Sequence, residues 1–148
     1  MGFTPAIAPR MRATIEVIQE RLTGPDGLVF RYLADDGLPG TEGTFLLCTF
    51  ALAQALAMTG DTAAARSVFE RAAASMNDVG LLAEEVDPIS GELLGNFPQA
   101  LSHIGLVNAA WAISQAEADD LVTERIADGA AYYRSEACAR VTPRRVRH

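Results

Sequence analysis

The chain has 148 residues, 49% of them hydrophobic and 21% charged, enough for one domain with a buried core and too apolar for a disordered segment. Its 12 basic residues, all Arg, stand against 19 acidic ones for a net charge of −7. That sign argues against a nucleic-acid partner, because phosphate-backbone binding runs on basic patches.

Residues 1–9 read as a lead-in to the first element. Met11, Ile15, Ile18 and Leu22 then recur at spacings of three and four, with Arg12, Glu16, Gln19 and Glu20 between them. This predicts an amphipathic helix ending near Gly24-Pro25. Leu28-Val29-Phe30-Arg31-Tyr32 is short, aromatic and β-branched, and Asp35-Asp36-Gly37-Leu38-Pro39-Gly40 is rich in turn residues. A loop with room for a small hairpin is expected there.

From Glu42 to Met58 the apolar residues Phe45, Leu46, Leu47, Phe50, Leu52 and Leu56, interleaved with alanines, cover nearly every side of a helix. A helix apolar all round belongs inside a larger assembly. Gly60 breaks the chain and Asp61 can cap the next helix, Thr62 to Met76. This one is one-sided: Val68, Phe69, Ala72, Ala73 and Met76 point inward, while Arg66, Glu70 and Arg71 point out. Asn77 to Phe97 is a second long loop, and loops of such length in compact domains are often functional. Pro98 suits the first turn of another nearly all-apolar helix, to about Ser114, with Asn96 as its cap. A last helix is expected over 119–139, and residues 140–148 form an arginine-rich tail expected to be disordered. Apolar helices alternate with one-sided ones, as an inner layer wrapped by an outer layer would require.

Cys48 and Cys138 are the only cysteines, too few for a disulfide framework or a zinc ribbon. His103 and His148 are the only histidines, so a metal site lacks a ligand set. The first ten residues lack the charged and apolar regions of a secretory signal. The longest apolar stretch, Phe45 to Met58, is too short to span a bilayer. The expected location is the cytoplasm, with no membrane partner.

Several stretches carry a resemblance. They are Arg31-Tyr32 followed by Asp35-Asp36-Gly37-Leu38-Pro39-Gly40-x-Glu42-Gly43-x-Phe45-Leu46-Leu47-Cys48, then Ala83-Glu84-Glu85-Val86-Asp87-x-x-Ser90-Gly91-Glu92, then Gly95-Asn96-Phe97-Pro98-Gln99-Ala100-Leu101-Ser102-His103. Together they resemble glycoside hydrolase family 15, the glucoamylases and their trehalase relatives, over about Arg10 to Trp111. The resemblance implies an all-α fold, part of an (α/α)6 toroid, with residues 10–139 as a C-terminal portion of the catalytic domain. It implies inverting hydrolysis of an α-glucoside by two carboxylates and no cofactor. One carboxylate protonates the leaving oxygen and the other deprotonates the attacking water. By the same resemblance the base falls on Glu84, with Glu85 as runner-up, and Arg31 and Asp36 line the sugar site. The acid comes from an earlier segment of the family's domain, so this chain alone is expected to be inactive. Its implied partners are a carbohydrate and either the remaining N-terminal part of the domain or a second copy of itself. The bacterial branch carries Trp after the Cys-x-Phe, where this chain has Ala51, a change expected to alter packing or a subsite wall.

Taken without the resemblance, each of these residues has a plainer reading. Glu84 and Glu85 are then solvated loop acids, Arg31 a surface ion-pair partner, and Asp35-Asp36-Gly37 a turn. Glu42 either caps its helix through the dipole or reaches the sugar, the cap being favoured. His103 on an apolar helix reads as a core residue, and Trp111 as a sugar-stacking platform or, more simply, as core packing. Gly60-Asp61, Ala64-Ala65, Phe69-Glu70 and Ala72-Ala73 also look like the second helix of a tetratricopeptide repeat, which would make the chain a binding module without chemistry. Such repeats need about three copies at a period of ~34 residues, and no second copy is found.

Overall fold

The computed structural model describes residues 5–34 and 42–139, with residues 128–139 described by backbone. Asp35, Asp36 and the arginine-rich segment 140–148 lie outside the described residues. In order, the elements are α1 (Pro9–Leu22), β1 (Thr44–Phe45), α2 (Leu46–Met58), α3 (Thr62–Ala73), β2 (Glu85–Val86), β3 (Leu93–Leu94) and α4 (Ala100–Ala139). The fold is mostly helical, as expected, with one small antiparallel sheet in the order β1-β2-β3.

Pro9 opens α1, where its missing N–H costs no helical hydrogen bond. Asp61 caps α3 by accepting from the Ala64 N–H at 3.1 Å. Its Ala65 and Ala72 are buried while Arg66, Glu70 and Arg71 are exposed, the one-sided helix read from the sequence. Helix α2 lies at the centre of the core. It joins one cluster through Leu46, Phe50 and Ala53, with Leu28, Ala72, Leu82, Val86 and Ala109, and a second through Leu52, Leu56 and Ala57, with Ile15, Val29, Ala65 and Ile113. Its buried Thr49 hydroxyl accepts from the Val29 N–H at 2.9 Å and donates to the Phe45 carbonyl at 3.1 Å, so a polar group sits in this core without loss.

Three expectations are corrected. First, α2 begins at Leu46 and not at Glu42, because Thr44 and Phe45 extend to pair with Val86 and Glu85. Second, the helices expected at 98–114 and 119–139 are a single helix beginning at Ala100. Gln115-Ala116-Glu117-Ala118 holds no glycine or proline, so nothing there stops helical propagation. The chain nevertheless divides into two compact units within this stretch, the first ending at Ala116 and the second beginning at Glu117. Third, of the two all-apolar helices expected at 42–58 and 98–114 to leave a face open to water, the first does not: α2 is covered on most sides, with only Ala51 and Met58 exposed along its length. Of these two helices it is α4 that leaves an apolar stripe uncovered. Ser102, Gly105, Ala109 and Ile113 form its buried face. A Cβ on Gly105 would stand 3.1 Å from both Leu47 Cδ1 and Phe50 Cβ, so α2 approaches where α4 is smallest. Leu101, Ile104, Val107 and Trp111 consequently point elsewhere, and Trp111 is 67% exposed rather than packed in the core.

Candidate active site

The segment Leu82–Val86 is held by α4 on one side and α2 on the other. Leu82 N–H donates to His103 Nε2 at 3.3 Å, and its carbonyl accepts from the Gln99 N–H at 2.8 Å. His103 Nδ1 lies 2.8 Å from the Gln99 carbonyl, so the ring donates at Nδ1 and accepts at Nε2, a satisfied structural histidine. The buried Ser102 hydroxyl donates to the Ala83 carbonyl at 2.7 Å. Leu46 N–H, at the start of α2, donates to the Glu84 carbonyl at 3.1 Å. The backbone that carries the two glutamates is therefore fixed residue by residue.

The Glu84 carboxylate is held through one oxygen. Its Oε2 accepts from the Asn96 backbone N–H at 3.1 Å and from Asn96 Nδ2 at 2.7 Å. The Glu84 N–H in turn donates to the Asn96 carbonyl at 3.0 Å. A Cβ on Gly95, whose φ is +70°, would lie 2.9 Å from both Glu84 Cβ and Oε2, so a residue without a side chain is required there. The sequence reading gave Asn96 the role of a helix cap. The structure gives it to Glu84 instead, because α4 starts four residues later. The only signal in the sequence was the Gly-Asn pair beyond the acidic stretch, which reads equally well as a turn.

Glu85 opens β2, and its side chain meets a different set of partners from that of Glu84. Arg31 Nη2 lies 2.9 Å from Glu42 Oε1 and 4.0 Å from Glu85 Oε1. The same guanidinium lies over the rings of Tyr32 and Phe45, at 4.9 and 5.1 Å from their centroids. Arg31 and Glu85, two of the residues singled out by the family resemblance, are brought together, and Glu42 joins them. Glu42 lies before β1, away from the N-terminus of α2, so it pairs with Arg31 and caps no helix.

Burial pushes the Glu85 carboxyl above the ordinary glutamate range. Glu42 and Glu84 add like-charge repulsion, only partly offset by Arg31 and the Gly43 N–H. A carboxyl whose folded proton affinity is raised binds its proton more tightly in the native chain than in the unfolded one. The contribution of Glu85 to stability then falls as pH rises from the unfolded value, about 4.3, through the raised folded one. Glu85→Gln should therefore gain stability relative to the parent as pH rises through that window. Urea midpoints across it check this, and a pH-independent difference would refute it. Asp87 has the opposite sign. The Ser90 and Ile89 N–H groups hold it below the usual range, a contribution present above its unfolded value and lost as pH falls through the folded one.

Ala51, where the sequence reading noted a missing aromatic, borders an apolar cavity of about 280 Å³ shared with Ile18, Leu22, Phe30, Arg31 and Cys48. Burial raises the Cys48 thiol against the pull of Arg31, which disfavours its thiolate form. Among the described residues no cluster of His, Cys, Asp or Glu could hold a metal ion, and no helix is long and apolar enough to cross a membrane.

The profile of "Glycosyl hydrolases family 15" matches residues 1–111. The chain is 46% identical over 118 residues to the trehalase of Mycolicibacterium smegmatis, covering 78% of this chain and 18% of that protein. It is 45% identical to the Mycobacterium tuberculosis trehalase, over 78% of this chain and 17% of the relative. The Thermoplasma acidophilum trehalase is 42% identical, over 78% and 20%. The chain thus spans about a fifth of the length of these relatives. No solved structure matches it. The helical-repeat alternative finds no support in these relatives or in a strand hairpin following α3. The matched residues include both glutamates, Asn96 and the Arg31 cluster, and the chain belongs to glycosyl hydrolase family 15.

Proposed function

We propose that this chain supplies the general base, Glu84, to a catalytic domain that hydrolyses an α-glucosidic bond with inversion, with α,α-trehalose as the substrate. One observation carries the assignment. Glu84 Oε2 is pinned by two donors, and among the described residues its Oε1 accepts no hydrogen bond, whereas Glu85 is engaged with Arg31 and Gly43. A base must offer one oxygen to the water while the rest of the carboxylate is held still. Glu84 takes the proton of a water attacking the anomeric carbon, and an acid in another segment of the domain protonates the leaving oxygen from the opposite face. The two carboxyls of such a site stand ~6.5–9.5 Å apart to admit the water. Arg31 offers several N–H donors of fixed geometry to sugar hydroxyls, and Asp36 is its proposed partner at the sugar.

The trehalose reading rests on relatives that bear the name trehalase. A domain completed with the remaining segments of one of them should turn over trehalose faster than maltose. The reverse order would move the reading to a glucoamylase type. The 148-residue chain without those segments should turn over neither sugar.

The exposed stripe of Leu101, Ile104, Val107 and Trp111 is the proposed seat of further helices of the same domain. Monomers seldom leave an apolar patch beyond a few hundred Å² open to water. Without those helices the chain should bind a hydrophobic-surface dye or self-associate, less so after Trp111→Glu. A dye-silent, strictly monomeric chain in sedimentation would count against it.

A further inference from the structure

We propose that Asn96 is the positioning residue of the general base, a role that rests on the assignment of that base to Glu84. Asn96 donates twice to one carboxylate oxygen, from its backbone N–H at 3.1 Å and from Nδ2 at 2.7 Å, while its own carbonyl accepts from the Glu84 N–H at 3.0 Å. Three hydrogen bonds between two residues fix both the Glu84 backbone and the rotation of its carboxyl plane. A glutamate at a partly exposed position otherwise samples several rotamers, and only a fraction of them aim an oxygen at a given water.

The chemistry of the holder matters as much as its place. An amide orients an oxyanion without bringing a full opposite charge, so it holds the carboxylate and leaves its negative charge available for the water's proton. An arginine or lysine at the same position would pair with that charge. An amide also has no proton to release near neutral pH, so it cannot compete as an acid. Gly95 completes the arrangement, because a Cβ there would press on Glu84 Oε2 at 2.9 Å and push the carboxylate off its donors.

The test uses steady-state kinetics of the completed catalytic domain on trehalose. Losing a hydrogen bond to a charged group corresponds to a factor of about 10–100. Asn96→Ala should lower kcat by that factor with KM changed by less than about twofold. Asn96→Asp, which keeps the shape and loses the donor, should be at least as slow. In a Glu84→Gln background Asn96→Ala should cost nothing more, since there is no base left to position. If Glu84→Gln is itself silent, the base assignment fails and this proposal with it. If Glu84→Gln is damaging but Asn96→Ala is silent, or adds its full loss to Glu84→Gln, the positioning role alone is overturned. A second readout needs no turnover. In the 148-residue chain, Glu84→Gln should move the ¹H–¹⁵N signals of Asn96 Nδ2 more than Glu85→Gln does, and equal shifts would overturn the proposal.

Discussion

Glu84→Gln in the completed catalytic domain is expected to lower turnover of trehalose by ~10²–10⁴, the range for loss of a positioned general acid or base. The substitution keeps the side-chain volume, and the amide oxygen can still accept from Asn96, so the hairpin that carries it should not move. What it removes is the capacity to take the water's proton, so kcat falls and substrate binding changes little. Glu85→Gln should cost much less. Its carboxyl faces Arg31 and Glu42, whereas that of Glu84, just before β2, is held by Asn96, so the two adjacent carboxylates do not aim at one water. A larger loss at Glu85 than at Glu84 would shift the assignment by one residue.

The second large effect is on the fold. Phe50 is fully buried at the centre of α2, its ring 5.7 Å from that of Phe69 and tilted 59° to it. Its Cβ lies against the face of α4 at Gly105. Phe50→Ala removes the side chain from between three helices that are already in contact and cannot close over the void. Such truncations cost ~3–5 kcal/mol, against a total of ~5–15 kcal/mol for a domain. The urea midpoint should fall by about a fifth or more from that of the parent, or the chain should fail to fold. Met58→Ala, on the exposed end of the same helix, should stay within ~0.5 kcal/mol. Equal effects at the two positions would mean that α2 is not the central helix.

The helices were legible where local signals agree. The apolar spacing of α1, the Gly60-Asp61 break and the one-sided pattern of α3 each follow from near neighbours in the chain. Misread features depend on residues far apart. Thr44 and Phe45 look like a helix start until Val86 and Glu85 are there to pair with them. The hairpin of β2 and β3 has two-residue strands, too short for an alternating pattern to register, and is closed by Asp87 holding Ile89 and Ser90. Trp111 reads as a core residue from the sequence because apolar residues surround it on all sides of α4. A helix packed through Ser102, Gly105 and Ala109 turns most of its large residues, Trp111 among them, the other way.

The site divides along the same line. Family resemblance singled out Glu84, Glu85 and Arg31, and contacts 11 to 54 positions apart link Arg31 to Glu42 and to Glu85. Asn96, 12 positions from Glu84, was within reach of the same stretches yet read as a cap, because its partner is fixed by the return of the hairpin and not by spacing. Glu42 was assigned to a helix dipole for a similar reason, since its ion pair forms only when β1 brings it back to Arg31.

The base assignment is tested most directly by replacing the base with an anion that needs none. Glu84→Ala opens a space where the carboxylate stood, and azide can enter it and attack the anomeric carbon without losing a proton. The leaving oxygen still takes its proton from the acid elsewhere in the domain. With the completed domain and trehalose, azide should restore turnover to Glu84→Ala and give β-glucosyl azide, the inverted product, while leaving Glu85→Ala unaffected. No rescue at Glu84, rescue at Glu85 instead, or an α-glucosyl azide product would contradict Glu84 as the base of an inverting reaction.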